Sequence, residues 1–477
     1  MKKFIALLLP VIMILSFVAC GDSNNTASGG TTSPNQSDTS ETVKQGPPTF
    51  EKTDYGNRTF TVAWPDLSIN ENYYFSEGTT GDILNDAVYD RLTKVEEQLN
   101  ITIAEYCLGQ CNDVYPLLQK VVLSGLEDYD LVLYNESAQM GTFIGENLVY
   151  DWNTINYIDL SQDYWHHDIN ANMSFYGKQL AVSNAWNIPW FISILHNKTM
   201  VTDYQLEDPY ELVRSGKWTI DKMTELAKQV AKDLNGDGKY DLDDQYGFGT
   251  SMDYHMKAFL VGFDQKIVKK NADQTMEYDF MNEKMVTIVE KMYKLIFDDN
   301  ASLTWTYGTF QGGIIVPIFD EGRMLFLNQI MAWAENYRQA DVEYGILPHP
   351  KFNETQDKYR IFHFACYNVI PTTIQDTDLC GKVLELLGWW GYNSVVPAYK
   401  EVLLTEKVSR DNESAETLDL IFNNFSFDLA NAFGYMEILY FLMNAKTTDI
   451  NSWYAKEMPA HQKTLDNNNE AILNFGK

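Results

Sequence analysis

Residues 59–64, TFTVAW, start a series of alternating strands and helices that continues to residue 135. This run of β-branched and aromatic residues predicts a strand. Apolar residues at 88, 92, 95 and 99 recur at helical spacing and predict a helix over 86–99. ITI at 101–103 predicts a second strand, VYPLLQKVVLSG at 114–125 a second helix and YDLVLY at 129–134 a third strand. This order is the unit of a parallel α/β sheet.

Rings and polar groups follow two of these strands. Trp64 ends the first strand, and Tyr134, Asn135 and Glu136 end the third. In open α/β sheets, ligands bind beyond the carboxyl ends of the strands. We therefore expect these four side chains to face a ligand.

Length and charge limit the possible classes of protein. The 477 residues are 45% hydrophobic, which is more than one core usually organises, so two or three lobes are expected. The formal net charge of −30 repels phosphate backbones and argues against a nucleic-acid partner. The aromatic content of 14% is typical of a folded chain.

The N-terminus predicts an exported lipoprotein. Lys2 and Lys3 precede an apolar run over residues 4–19 that is shorter than the about 20 residues a membrane span needs. Phe17-Val18-Ala19-Cys20 resembles a bacterial lipobox, in which Cys20 carries the lipid, although Phe17 stands where leucine is usual. Residues 1–20 are then a signal peptide, and the polar residues 21–55 are a flexible linker. The alternative is an uncleaved anchor.

Four other cysteines leave their redox state open. Cys107 and Cys111 are close enough in sequence to form a local disulfide in an exported protein, and free buried thiols are the alternative for these and for Cys366 and Cys380. No histidine stands at a zinc-like offset from them.

Seven segments together resemble the extracellular solute-binding proteins of ABC transporters, in the branch that includes maltose-binding protein. They are GDILNDAVYDRLTKVEEQLNITI (81–103), YDLVLYN (129–135), ENLVYDW (146–152), ILHNKTMV (194–201), SGKWTIDKMTELAKQVAKDLNGDGKYDLDDQYGF (215–248), DEGRMLFLN (320–328) and YGILPHPKF (344–352). The resemblance covers about residues 56–460.

The resemblance implies a type II two-lobed α/β fold, in which each lobe is a mainly parallel sheet flanked by helices. The first lobe would comprise 56–185 plus 364–395, and the second 186–363 plus 396–477. A sugar or oligosaccharide would bind in the cleft between them, and an ABC permease would receive it from a monomeric protein tethered outside the cell membrane. The residues expected in the cleft beyond the first sheet's strands are Trp186, Asn187, Trp190, Asp253, Tyr254, Asn328, Met331 and Trp333. Each aromatic residue has a core position as its alternative.

The acidic loop 233–244, DLNGDGKYDLDD, has the spacing of a calcium-binding loop. Asp233, Asn235 and Asp237 would supply the first oxygen ligands, Lys239 its carbonyl, and Asp241 and Asp244 the ninth and twelfth positions. A strand-like sequence follows instead of the helix of an EF-hand switch. The loop is therefore expected to brace the structure with Ca²⁺, with an Asx-rich turn that binds no metal as the alternative.

An enzyme and an adhesin are the competing classes. The sequence contains no G-x-S-x-G, H-E-x-x-H, Walker or strand-linked G-x-G-x-x-G motif. Abundant carboxylates leave a glycosidase-like pair open, but an adhesin would usually contain repeats, and none is present. Binding without catalysis is the preferred interpretation.

Overall fold

The strands of the protein form two main sheets. In the computed structural model, residues 46–66, 73–135, 140–305, 317–332, 342–405, 412–434 and 437–477 are described. The strands are β1 Arg58–Asp66, β2 Ile101–Gln110, β3 Leu131–Asn135, β4 Ser174–Phe175, β5 Lys178–Gln179, β6 Ile192–Asn197, β7 Tyr246–Ser251, β8 Val268–Lys270, β9 Met276–Tyr278, β10 Ser302–Trp305, β11 Met324–Ile330, β12 Tyr344–Leu347, β13 Ile361–Phe362, β14 Cys366–Val369 and β15 Phe425–Ser426.

Helices connect and cover these strands. They are Ile83–Leu99, Val114–Leu123, Met140–Gly145, His167–Asn172, Lys198–Asp203, Pro209–Arg214, Ile220–Val230, Tyr254–Gly262, Glu283–Phe297, Thr377–Trp390, Val396–Thr405, Asn412–Phe422, Leu429–Phe433, Ile438–Asn444 and Ile450–Asn474. Among the described residues, no helix is both long and apolar enough to cross a membrane.

The first sheet has the order β14-β3-β1-β2. Strand β1 pairs in parallel with β2 and β3, as the strand–helix alternation predicts, and β14 adds an antiparallel edge. The second sheet has the order β10-β7-β11-β6-β12. Its first three strands are parallel, and β6 runs antiparallel to both β11 and β12. Both sheets are mixed, and we call each sheet with its helices a lobe.

The helix Ile83–Leu99 shows how local sequence sets these elements. Asp82 caps its first turn by accepting hydrogen bonds from the backbone N–H groups of Leu84 and Asn85 at 3.1 and 2.9 Å. Asn100 ends it in the left-handed conformation, with φ 47°. The predicted apolar face is buried, but Arg91 lies within it.

Two extended segments run side by side between the sheets. Residues 182–191 follow the β4-β5 hairpin and lead into β6, and residues 363–368 lead back into β14. Antiparallel bridges join Val182 to Asn368 and Phe191 to His363. We call these the first and second crossing segments.

A helical run over residues 377–405 packs on the first crossing segment. It includes a π-helical turn at Gly391–Val395, a feature often found at functional sites. A Cβ atom on Gly391 would lie 2.1 Å from the carbonyl oxygen of Ala185, so only glycine permits this close approach. The helix therefore lies directly on the crossing backbone.

The C-terminal helix Ile450–Asn474 contacts segments from both predicted lobes. The ring of Phe280 packs against Trp453 near its start, and Asn469 pairs with the N–H and C=O of Met276 at 2.8 and 2.9 Å. Farther along the chain it packs on helix Met140–Gly145, which follows β3. The last helix therefore lies against segments of both predicted lobes, and its predicted assignment to the second lobe stays a prediction.

Candidate functional site

Four aromatic side chains form a wall beside the first sheet. The indole of Trp64 lies 6.1 Å from the ring of Tyr74 and 5.9 Å from that of Phe75, between ring centroids. Trp186, from the first crossing segment, meets Tyr74 and Phe75 edge-on at 5.6 Å each. We call these four residues the aromatic wall. The structure therefore brings together two predicted site residues, Trp64 and Trp186, although both are buried.

The aromatic wall has unused hydrogen-bonding groups. Within the described part of the chain, the indole nitrogens of Trp64 and Trp186 are buried and have no hydrogen-bond partner. The same holds for Oδ1 of Asn135. Buried polar groups are nearly always paired, so such atoms are where a ligand or water would add bonds.

Other predicted residues of the first lobe have mainly structural contacts. Tyr134 is fully buried, between Phe143 at 5.0 Å and Tyr367 at 5.4 Å. Asn187 donates to the carbonyl oxygen of Cys366 at 3.1 Å and so joins the two crossing segments. Glu136 lies outside the described residues.

Trp190 stacks between the two crossing segments. Its ring stacks on that of Phe364, with centroids 4.8 Å apart. Only 5% of the residue is exposed. In this structure its contact is therefore with the second crossing segment, which corresponds to the core alternative considered for each aromatic residue.

The second lobe places polar groups at the carboxyl end of β7. Asp253 caps helix Tyr254–Gly262 and accepts hydrogen bonds from Ser251 Oγ at 2.5 Å and His255 Nδ1 at 2.8 Å. Burial acts to raise its pKa, but these bonds and the charge of His255 lower it overall. The imidazole of His255 lies 6.5 Å from the ring of Trp305, at the end of β10. Sequence analysis named Asp253 but missed Trp305.

Asn328 is engaged inside the second lobe. Its Nδ2 lies 3.2 Å from Thr250 Oγ1, and its Oδ1 lies 3.1 Å from Nε2 of His349. The amide is fully buried, and both its ends have partners within the second lobe. Met331, close by at the end of β11, is also buried. Trp333 and the side chain of Tyr254 lie outside the described residues.

A hydrogen bond connects the segment before the aromatic wall with the segment after β11. The hydroxyl of Tyr73 donates to the carbonyl oxygen of Ala332 at 3.3 Å. Tyr73 precedes the aromatic wall residues Tyr74 and Phe75, and Ala332 follows β11 by two residues. This hydrogen bond therefore connects the chain that carries two residues of the aromatic wall with the carboxyl end of β11.

Sequence analysis also missed Arg91. Leu84, Val88, Arg91 and Val95 are spaced four, three and four residues apart and are all buried on one helical face. A charged residue in such a stripe is rare, because Arg is almost never fully buried unless its charge is compensated. That break in the apolar pattern is visible in the sequence and would have been a usable signal.

The acidic loop closes on its own backbone. Both carboxylate oxygens of Asp233 accept backbone N–H groups, from Gly236 and Gly238, and Asp244 does the same for Leu234 and Asp241. Asn235 accepts from Asp237, whose side chain accepts from Lys239. Across the described residues, no three acidic, cysteine or histidine side chains form a group that could hold a metal ion. Calcium binding stays a prediction.

The remaining predicted sites are the cysteines and the N-terminus. Cys107, Cys111, Cys366 and Cys380 are free thiols in the structure. Cys20, the signal peptide and most of the linker lie outside the described residues.

Comparison with solved structures shows which proteins share this architecture. A sugar transporter protein from Rhizobium etli in an open conformation has a TM-score of 0.56 at 14% identity, covering 87% of this chain and 99% of that chain. The cyclic α-maltosyl-1,6-maltose-binding protein of Arthrobacter globiformis has a TM-score of 0.55 at 14% identity, with 87% and 98% covered. The chain has the fold of ABC-transporter sugar-binding proteins.

A third neighbour supports the same fold. The ABC substrate-binding protein of Listeria monocytogenes in complex with cycloalternan has a TM-score of 0.54 at 13% identity, covering 87% of this chain and 98% of that chain. No protein-family model matches the sequence, and no curated protein matches it either. The predicted two-lobed α/β fold is confirmed.

Proposed function

We propose that this protein captures a sugar or oligosaccharide between its two lobes and delivers it to an ABC permease. The observation that carries the proposal is the meeting of the two sheet edges at the Tyr73–Ala332 contact, beside the aromatic wall. Known sugar-binding proteins with this fold support it, among them proteins bound to maltotriose and to α-D-tagatose.

The chemistry of the cleft suits a carbohydrate. Pyranose rings have apolar faces that stack on aromatic side chains, and hydroxyl groups that bond to amides and carboxylates. The wall supplies indole N–H donors at Trp64 and Trp186, and Asn135 supplies an amide oxygen. Asp253, whose pKa is lowered, supplies a carboxylate at the facing edge. The remaining predicted ligand residues belong to the same proposal.

Hinge closure is the proposed mechanism. A ligand that contacts both lobes has a higher affinity for the closed state and shifts the population toward it. The paired crossing segments and the helical run over 377–405 are the connections about which the lobes would rotate. The permease then recognises the closed state, and no bond of the sugar is made or broken.

The proposed location is the outer face of the cell membrane. Cys20 would carry the lipid, and the polar linker would allow the folded part to approach the permease. The acidic loop would bind Ca²⁺ away from the cleft, as a brace.

A glycan panel tests the proposal. Maltose, maltotriose, cyclic α-maltosyl-1,6-maltose, cycloalternan, acarbose and D-tagatose are titrated against the protein without its first 45 residues, and binding is measured by calorimetry and thermal shift. We expect saturable binding of at least one carbohydrate without hydrolysis. A wider panel of neutral and acidic oligosaccharides follows if none of these binds. Turnover of a bound sugar, or binding only of non-carbohydrate solutes, would refute the proposal.

A further inference from the structure

Arg91 extends from helix Ile83–Leu99 to the aromatic wall. Its guanidinium donates to the carbonyl oxygen of Trp186 at 3.3 Å and to those of Tyr73 and Tyr74 at 3.2 and 2.9 Å. The guanidinium carbon also lies 4.4 Å from the centroid of the Trp186 ring. One side chain therefore joins a helix, the first crossing segment and the chain that leads into the wall.

The charge of Arg91 is compensated in an unusual way. The residue is fully buried, and its contacts in the described part of the chain include no carboxylate. Burial lowers its pKa to about 9. Three carbonyl dipoles and one indole face compensate the charge, and cation–π contacts are strongest when desolvated. The planar fork of Arg suits this arrangement, whereas the point charge of Lys does not.

Two of these carbonyl groups belong to the segment that reaches the second lobe. Tyr73 is held at its backbone by Arg91, and its hydroxyl bonds to Ala332 in the second lobe. Its ring also meets the ring of Tyr399 edge-on at 5.7 Å. Arg91 therefore bonds to Tyr73, the residue whose hydroxyl reaches the second lobe. The Arg91 guanidinium also lies over the indole ring of Trp186.

We propose that Arg91 is a positioning residue that fixes the aromatic wall and couples it to lobe closure. It sets the backbone of Tyr73 so that the hydroxyl reaches Ala332, and it holds Trp186 in its edge-on contact with Tyr74 and Phe75. The inference rests on the proposed function for its effect on ligand affinity. Its effect on the ligand-free structure does not depend on that function.

The test compares Arg91→Lys with a matched control. Lys94→Met changes an exposed residue on the same helix, whose ion pair is with Glu97 at 3.0 Å. Amide hydrogen exchange is measured on the ligand-free protein. We expect Arg91→Lys to accelerate exchange at residues 73–75 and, across the cleft, at 330–332, while Lys94→Met changes neither. Exchange that rises only within the helix, or evenly over the whole chain, would overturn the proposal.

A second variant avoids dependence on the folding of Arg91→Lys. Tyr73→Phe removes the hydroxyl that bonds to Ala332, and it should accelerate exchange at 330–332. For whichever carbohydrate of the panel binds the wild type, Arg91→Lys should weaken affinity roughly tenfold, the scale of a coupling mutation. Adding Tyr73→Phe to Arg91→Lys should then cost little more. Fully additive losses would show that Arg91 does not act through Tyr73.

The two hypotheses fail in different ways. If no carbohydrate binds the wild type, the proposed function fails, and hydrogen exchange still decides the role of Arg91. If a carbohydrate binds and Arg91→Lys retains wild-type affinity and exchange, only the positioning role fails.

Discussion

The indole of Trp190 stacks on the phenyl ring of Phe364, with centroids 4.8 Å apart and an angle of 26° between the ring planes. The backbone N–H of Phe364 also donates to the carbonyl oxygen of Trp190 at 2.9 Å. The two residues belong to different crossing segments, so this pair holds the connections between the lobes together.

Trp190→Ala should therefore destabilise the protein. Truncating a buried Trp costs about 3–5 kcal/mol of unfolding free energy, and here it also removes the stack across the hinge. Trp190→Phe keeps a ring against Phe364 and should lose much less. Urea unfolding of both variants, with ligand affinity measured on the same samples, checks this. Wild-type stability with lost affinity would instead show that the indole serves the ligand alone.

The first lobe was the most predictable part of the fold. The continuous apolar and β-branched runs of β1 and β3 and the 3.6-residue periodicity of the helix over 83–99 depend on local burial, which the sequence records directly. The site was less predictable, because an aromatic residue after a strand can face either the cleft or the core. Tyr134 and Trp190 are buried against other rings, and spacing alone does not fix that choice. Contacts such as Arg91 with Trp186 join positions 95 residues apart, beyond any local pattern.

Gly141→Ala should loosen the C-terminal helix. A Cβ atom there would lie 1.8 Å from Oδ1 of Asn468, so either that side chain or the helix must shift. Overpacking of this kind costs about 1–3 kcal/mol. The same substitution in an Asn468→Ala background should cost less, because the space is then free. Thermal unfolding of the wild type, the two single variants and the double variant gives the coupling energy between positions 141 and 468. If Gly141→Ala cost the same stability in both backgrounds, the close contact would be contradicted.

Asp244→Ala should lower the melting temperature whether or not the loop binds a metal. Its carboxylate accepts the N–H groups of Asp241 and Leu234 at 2.9 Å each, and these bonds lower its pKa. Removal leaves both backbone donors without this acceptor. Differential scanning fluorimetry without added metal measures the effect. An unchanged melting temperature would mean that the loop is not held by this residue.

Calcium binding needs a separate test. If Ca²⁺ binds only the folded loop, a strong chelator should lower the melting temperature, since an ion at 100 times its Kd stabilises by about 2.7 kcal/mol. Asp237→Asn is the matched variant, because the amide oxygen can still accept the N–H of Lys239 while the charge is lost. Its response to chelator should be smaller than that of the wild type. No response in either protein, together with no calcium by elemental analysis, would favour the Asx-rich turn.

Cys20→Ala should leave the protein without its lipid. The lipobox-like sequence ends at Cys20, and an acyl chain contributes about 0.8 kcal/mol per buried CH₂ to membrane binding. Cell fractionation and metabolic labelling with a fatty acid check the variant. Unchanged membrane association with unchanged processing would contradict lipidation, and Phe17→Leu is a control that should process at least as well as the wild type.

His349 should make the second lobe sensitive to acid. Its imidazole is fully buried, and its Nε2 lies 3.1 Å from Oδ1 of Asn328. Burial, with a smaller contribution from the charge of His255, lowers the pKa of His349 to about 3. An unfolded chain takes up a proton near pH 6.5, so between these values the unfolded state binds more protons and stability falls as pH falls.

His349→Gln isolates this contribution from other titrating groups. Burial raises the pKa of Glu385 to about 7, so the protonation of Glu385 adds stability to the folded state as pH falls below that value. Glu385 is present in both proteins, so its contribution cancels when their stabilities are compared. Gln can still donate to Asn328 and does not titrate, so the variant should be less stable at pH 7.5 and lose less stability by pH 4.5. Melting temperatures at four pH values measure both slopes. Parallel slopes for wild type and His349→Gln would show that the His349 imidazole takes up its proton equally well in the folded and unfolded states.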